Sequence, residues 1–215
     1  MRSATIRRIV CAYDDPLVRA YCWLRFVVLR QRFLDEIGQY LPEAGVVLDV
    51  GCGFGLFSLY YAATGPRRLL RGLDLDGRRI AMARRAARRL GLDNVVYEVA
   101  DARDFKGDSE VAGAYMLDIV HHVPPATVPP LLAELHRCLP PGGRLLVKDV
   151  DTRPAPQRWF TWALDRLMAP ATPVHYWPAE VLTAALEHAG FRVWRHRMVD
   201  LLPYPHVLYV CEARP

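Results

Sequence analysis

The sequence predicts an α/β fold, a doubly wound and mostly parallel sheet with helices on both faces. Three observations carry this. Runs of branched apolar residues alternate along the chain with segments whose apolar residues recur every three or four positions. The run Val46-Val47-Leu48-Asp49-Val50 ends in Gly51-Cys52-Gly53-Phe54-Gly55 and passes into an apolar segment from Leu56 to Ala63, which spells strand, tight turn, helix. Acids then recur at the ends of successive strand-like runs, at Asp74 and Asp101. Parallel strands joined by right-handed crossovers place a ligand at the carboxyl ends of the first strands.

At 215 residues the chain fits one domain with a single core. We divide it into a helical extension or lid, residues 1–43, and a body, residues 44–215, with a cap segment rich in Pro and Trp at about 152–178. The five cysteines lie at 11, 22, 52, 138 and 211, with no C-x-x-C pair. They read as reduced thiols of a cytoplasmic protein, which argues against a disulfide framework and a zinc site. No metal site is expected. The N-terminal residues lack the apolar core of a secretory leader, and the apolar run from Ala20 to Leu29 is interrupted by Arg25 and too short to span a bilayer. A formal charge of +5 permits anionic partners. The arginines at 78, 79, 85, 88 and 89 nevertheless fall largely on one solvated helix face without interleaved aromatics, so nucleic acid is not the expected partner.

Taken in order, residues Pro16 to Leu41 read as one helix apolar on more than one side, its arginines snorkelling. Pro42 stops it and Gly45 leads into the first strand. After the glycine turn and its helix, Gly65-Pro66 breaks the chain. Leu69 to Asp74 forms a second strand, Asp76 caps a helix from Gly77 to Leu90, and Gly91 closes that helix. Asn94 to Ala100 and Val111 to Leu117 read as the third and fourth strands, and Thr127 to Leu139 as a helix. A fifth strand follows Pro140-Pro141-Gly142-Gly143. A helix from Ala179 to His188 and strands Phe191 to Val199 and Val207 to Ala213 complete the pattern.

The glycine turn alone does not name its ligand. A dinucleotide fingerprint, G-x-G-x-x-G, would put its third glycine where Leu56 stands, and Gly55 sits one residue early. The sequence D-x-G-x-G-x-G over Asp49, Gly51, Gly53 and Gly55 instead resembles motif I of the class I S-adenosylmethionine-dependent methyltransferases. Four later stretches keep the family order: the strand-end Asp74-Leu75, the segment Ala100-Asp101-Ala102-Arg103-Asp104-Phe105, the run Leu117-Asp118-Ile119-Val120-His121-His122-Val123, and the Pro-Gly-Gly turn. Ala189-Gly190-Phe191 resembles the entry to the family's last hairpin. Ala112 stands where the family often has an aspartate.

The resemblance implies a Rossmann-like seven-stranded sheet with an antiparallel last strand. It also implies S-adenosyl-L-methionine as methyl donor and S-adenosyl-L-homocysteine as product. On the cofactor side it assigns Asp49 and Gly51, Gly53 and Gly55 to the turn, Asp74 to the ribose hydroxyls and Leu75 beside it. Asp101 and Ala102 fall to adenine, Leu117 to the methionine portion, and Asp118 to its ammonium or to orienting a histidine. His122 and then His121 are the base candidates, because methyl transfer needs a base only where the acceptor must lose a proton. Tyr13, Trp23, His175, Tyr176 and Trp177, with Trp159, Trp162 and Met168, are candidates for the acceptor pocket. Their chemistry favours a small apolar or aromatic acceptor methylated on oxygen or carbon. The alternatives are a lipid or lipid-precursor acceptor met peripherally at a membrane surface and a non-catalytic S-adenosylmethionine-binding protein. Aminopropyl transfer would call for acids to hold a polyamine, and the cap segment supplies few.

Overall fold

The structure is a computed structural model and describes residues 2–106, 111–156, 159, 162, 174–198 and 204–215. Three helices come first: α1 (Arg2–Cys11), α2 (Pro16–Val28) and α3 (Arg30–Gly38). They are followed by β1 (Gly45–Val50), α4 (Leu56–Thr64), β2 (Arg68–Asp74), α5 (Gly77–Leu90) and β3 (Val95–Val99). Next come β4 (Gly113–Leu117), α6 (Val128–Cys138), β5 (Arg144–Val150), α7 (Ala179–His188), β6 (Phe191–Arg197) and β7 (His206–Ala213). The seven strands form one sheet in the order β3-β2-β1-β4-β5-β7-β6. All neighbours through β5 pair in parallel, and β7 runs antiparallel to both β5 and β6. This is the expected doubly wound architecture, with its strand order reversing between β1 and β4. At such a reversal the flanking connections leave in opposite directions and open a crevice at the strand ends.

Strand alternation divides the core in two. Tyr115, Leu117 and Leu146 join the cluster under α1 to α5, whereas Ala114, Met116, Leu145 and Val147 join the cluster under α6 and α7. The helix ends follow from local chemistry. Asp76 accepts N–H bonds from Arg78 (2.8 Å) and Arg79 (3.4 Å) at the start of α5, and Gly91 ends that helix in the left-handed region. Asp15 caps α2 in the same way, accepting from Leu17 at 2.7 Å, and Pro16 takes the first helical position.

Two differences from the expected helices concern the N-terminal segment. The single helix expected from Pro16 to Leu41 is two, divided at Leu29 (φ −85°, ψ 15°). Neither Pro nor Gly marks the break. Its cause is packing: Val18, Cys22 and Phe26 of α2 and Phe33, Leu34 and Ile37 of α3 all enter one core, which two angled helices achieve and a straight one would not. The helix α1 was not anticipated, and it buries Ile9 and Val10 in that same core.

Replacing Asp15 by Ala should lower folding stability by about 1 kcal/mol through loss of the α2 cap. An unchanged urea midpoint would contradict the capping role.

Candidate functional site

The glycine turn is built from both sides of β1. Gly51 and Cys52 donate their N–H groups to the Leu73 carbonyl (2.8 and 2.9 Å), and Gly53 donates to Asp74 Oδ2 at 2.8 Å. The three glycines all have positive φ but serve different ends. A Cβ on Gly51 would lie 2.5 Å from Ile119 Cγ1, and one on Gly55 would strike the Tyr97 ring, so these two are small because the protein packs against them. At Gly53 no atom of the described residues, its two chain neighbours apart, lies within 4 Å of that position. The space over Gly53 is therefore open to a ligand brought close to the backbone.

Asp74 is buried, with Oδ1 accepting from Asp76 N–H at 2.9 Å as Oδ2 accepts from Gly53. A carboxylate has lone pairs to spare beyond one bond per oxygen, so a pair of ribose hydroxyls can still be received. Leu75, next in the chain, is 65% exposed and offers apolar surface at the mouth of the crevice. Asp101 and Ala102 lie half-buried after β3, where a 3-10 turn spans Ala102–Asp104. These features, strung along the ends of β1, β2 and β3, suit an adenosyl ligand.

Asp49 is enclosed. Its Oδ2 accepts from the Ser58 hydroxyl of α4 (2.7 Å) and the Tyr115 hydroxyl of β4 (2.9 Å). Burial pushes its pKa up to about 7, against the pull of both hydroxyls. Tyr13, expected in the acceptor pocket, is instead buried, and its hydroxyl donates to the Phe54 carbonyl at 2.8 Å, bracing the glycine turn.

At the end of β4, Leu117 is buried and Asp118 carries φ 58°, the one positive φ outside glycine among the described residues. The Asp118 carboxylate, assigned by the resemblance to an ammonium or to orienting a histidine, meets Lys148 Nζ (2.5 Å), Arg25 Nη2 (2.5 Å) and, at 3.7 Å, His206 Nε2. Burial alone would raise its carboxyl, but Lys148 and Arg25, with His206, outweigh burial and hold it well below the usual range.

The two histidines occupy a 3-10 turn, Val120–His122. His121 is buried; its backbone N–H donates to Asp149 Oδ2 at 3.1 Å and its Nδ1 pairs with Asp149 Oδ1. The His122 ring packs on it with centroids 4.1 Å apart, and Tyr176 lies 5.7 Å from it. The His175 N–H donates to the His121 carbonyl at 2.7 Å, bringing the end of the cap segment against this turn. Trp177 and Tyr176 are half-buried and His175 is exposed. Trp23 lies exposed on α2, and Trp159 and Trp162 are exposed and meet edge to face. Met168 falls outside the described residues.

Arg25, Lys148, Asp149 and His206 were not singled out from sequence as site residues. The available signal was Lys148-Asp149 inside the otherwise apolar strand Leu145 to Val150, since charged residues in a buried strand require partners. Alternation sends the two side chains to opposite faces of the sheet, Lys148 toward α2 and α3 and Asp149 toward the histidine turn. Among the described residues no cluster of acids, histidines and cysteines has the makings of a metal site.

Comparison with known proteins bears on family and fold. A family described as a methyltransferase domain matches residues 24–196. The S-adenosyl-L-methionine-dependent Diels-Alderase iccD of Talaromyces variabilis is 32% identical over 118 residues, covering 53% of this chain and 39% of that one. A ubiquinone biosynthesis O-methyltransferase of Xanthomonas axonopodis pv. citri is 31% identical over 127 residues, covering 57% and 50%. The chain thus spans half or less of the length of these curated relatives. A SAM-dependent methyltransferase from Methanosarcina mazei shares the fold, with TM-score 0.66 at 21% identity over 83% of this chain and 97% of that one.

Two measurements probe the site. Gly53→Ala should cost about 1–2 kcal/mol of stability for a left-handed alanine and weaken S-adenosylhomocysteine binding at least tenfold. Gly55→Ala should cost a further 1–3 kcal/mol or so, because Tyr97 must move. Equal cofactor affinity for wild type and Gly53→Ala by calorimetry would remove the ligand from this turn. For Asp49, the folded state holds its proton more tightly than the unfolded chain does. Its contribution to stability is therefore complete below about pH 4 and is lost as pH rises to about 7, by roughly 4 kcal/mol at most. Wild type should lose stability relative to Asp49→Asn across that interval and run parallel to it above about pH 8; a constant gap in urea midpoints from acid to neutral pH would rule this out.

Proposed function

Since the chain belongs to the class I S-adenosylmethionine-dependent methyltransferase family, we propose that it transfers a methyl group to an oxygen or carbon of a small apolar or aromatic acceptor. The observation that carries this is the open cradle over Gly53 beside Asp74, next to the strand reversal, with a buried His–Asp pair across the crevice on β4 and β5. When bound, the sulfonium supplies a methyl carbon already activated for displacement. What remains for the protein is alignment, exclusion of water and, for an acceptor that must lose a proton, a base.

Asp49, the glycine turn, Asp74, Leu75, Asp101, Ala102 and Leu117 hold the donor in this reading. Asp149 pairs with Nδ1 of His121 and accepts a backbone N–H from the same residue, which orients the ring for the base role that this reading gives it. His122 packs against that ring and completes the base. The acceptor lies between α2, carrying Trp23, and the end of the cap segment, carrying His175, Tyr176 and Trp177. In this reading α2 and residues 174–178 cover it.

A second reading has one observation in its favour. Leu17, Trp23, Leu24 and Val27 leave an apolar stripe exposed along α2, as a lipid-like acceptor met at a membrane surface would require. No helix among the described residues is long and apolar enough to cross a membrane.

Mass spectrometry of extracts incubated with isotopically labelled cofactor identifies the acceptor. Asp149→Asn should then lower kcat about 10²-fold or more, flatten the pH–rate profile, and leave cofactor affinity intact. If Asp149→Asn and His121→Asn keep the parent's rate and profile, the base assignment fails. Acceptor consumption without release of S-adenosylhomocysteine would instead favour ring formation of the kind the fungal relative's name describes.

A further inference from the structure

We propose that Asp151 is the positioning residue of the acceptor side, holding residues 175–178 against the histidine turn before an acceptor arrives. This rests on the methyl-transfer reading and adds to it the device that seats Tyr176 and Trp177. Asp151 stands just past the end of β5 and is buried. Its Oδ1 accepts the Thr152 N–H at 2.7 Å and, 28 positions on, the Ala179 N–H at 3.1 Å. Arg197 of β6 lies 3.6 Å from Oδ2, and its Nη2 donates to the Arg153 carbonyl at 3.3 Å. One carboxylate thus gathers the chain leaving β5, the first residue of α7 and the end of β6.

The origin of this cap sets it apart. Asp15 and Asp76 cap α2 and α5 from the adjacent position, where a short side chain serves its own helix. Pro178, which precedes α7, has no polar side chain, and the N–H of the first residue is met from β5 instead. A cap that reaches in from another element fixes where the helix starts relative to that element. The ladder with β7 runs on to the Asp151 N–H, which donates to the Pro205 carbonyl at 2.8 Å. Asp149 and Asp151 therefore keep the strand's alternation and share one face of the sheet.

On that face the bonds close a ring. Asp149 accepts the His121 N–H (3.1 Å), the His121 carbonyl accepts the His175 N–H (2.7 Å), and four residues later Ala179 returns the chain to β5 at Asp151. Between the anchors at His175 and Ala179 stand only Tyr176, Trp177 and Pro178, and the proline ring fixes one more dihedral (φ −57°). Tyr176 and His121 then face each other with ring centroids 5.7 Å apart, while Trp177 packs on the core under α6 and α7. The two rings are held by the protein's own bonds, so an acceptor meets a wall already formed and loses no affinity to ordering it.

The test compares Asp151→Ala, Asp151→Asn and Ala179→Pro in the full chain, each below the onset of its unfolding. Asp151→Ala removes the bond's acceptor. Ala179→Pro removes its donor, at a first helical position that favours proline and behind a residue already extended (ψ 137°), and it serves if the Ala variant does not fold. Asp151→Asn keeps an oxygen that can accept the same bond. Amide exchange followed by nuclear magnetic resonance should quicken about tenfold or more at His175 in the two breaking variants, stay within about threefold of the parent in Asp151→Asn, and leave the His121 amide protected by Asp149. A cap serving α7 alone would free only Val181 and Leu182, whose N–H groups bond the Pro178 carbonyl. The second readout uses labelled S-adenosylmethionine and a serial dilution of the extract in which labelled product is found. The half-saturating amount of extract should rise about tenfold in the breaking variants, with the plateau rate within about threefold and S-adenosylhomocysteine affinity within about twofold of the parent. An unchanged His175 amide in both breaking variants, or an unchanged half-saturating amount, overturns the proposal. A loosened His175 in a chain that no extract sets turning over would sustain the clamp and remove the methyl-transfer reading.

Discussion

The Asp74 carboxylate is bonded on one oxygen to the Gly53 N–H and on the other to the Asp76 N–H. Through these two bonds a single side chain at the end of β2 fixes the glycine turn that follows β1 and the entry to α5. Cofactor recognition by backbone groups depends on the turn being shaped before the ligand arrives, because each loop residue ordered on binding subtracts from affinity. Tyr13 adds a brace from the other side through the Phe54 carbonyl, and Tyr97, whose hydroxyl donates to the Gly55 carbonyl at 3.2 Å, supports the turn from below. The turn is therefore rigid because three distant parts of the chain converge on it.

Three other acids, two buried and one half-buried, show how environment assigns different roles to one functional group. Asp49, met only by hydroxyls, is pushed toward its neutral form, whereas Asp118, flanked by Lys148 and Arg25, is locked as an anion. Asp149 is paired with an imidazole and with a backbone N–H of the same residue, which fixes the orientation of the His121 ring. An enzyme that handles a cationic donor and expels water from its acceptor needs such separation, since identical carboxylates would otherwise compete for the same charge.

The candidate cofactor side, the glycine turn and the strand-end acids, was legible in the sequence because its parts are local. Gly51 to Gly55, Asp74-Leu75 and Asp101-Ala102 each sit at a strand end, and the alternation of strands and helices orders those ends along one crevice. The ion cluster at Asp118 and the His121–Asp149 pair were not, because tertiary contact makes them. Arg25 reads as one more arginine on an apolar helix until the fold sets it against Asp118, 93 positions later. Lys148 and Asp149 read as a polar interruption of a strand until the pleat directs one to each face. The break at Leu29 was hidden for a related reason: no residue there breaks a helix, and only the shape of the core requires two axes.

The antiparallel placement of β7 has a consequence for assembly. This strand lies between β5 and β6, and β6 has no other neighbour in the sheet. Among the described residues β6 is therefore tied to the sheet only through β7, so its place in the sheet depends on a strand that follows it in the chain. His206, which reaches the Asp118 cluster, lies on that strand. The cluster around Asp118 thus gains its histidine only where β7 has paired with β5.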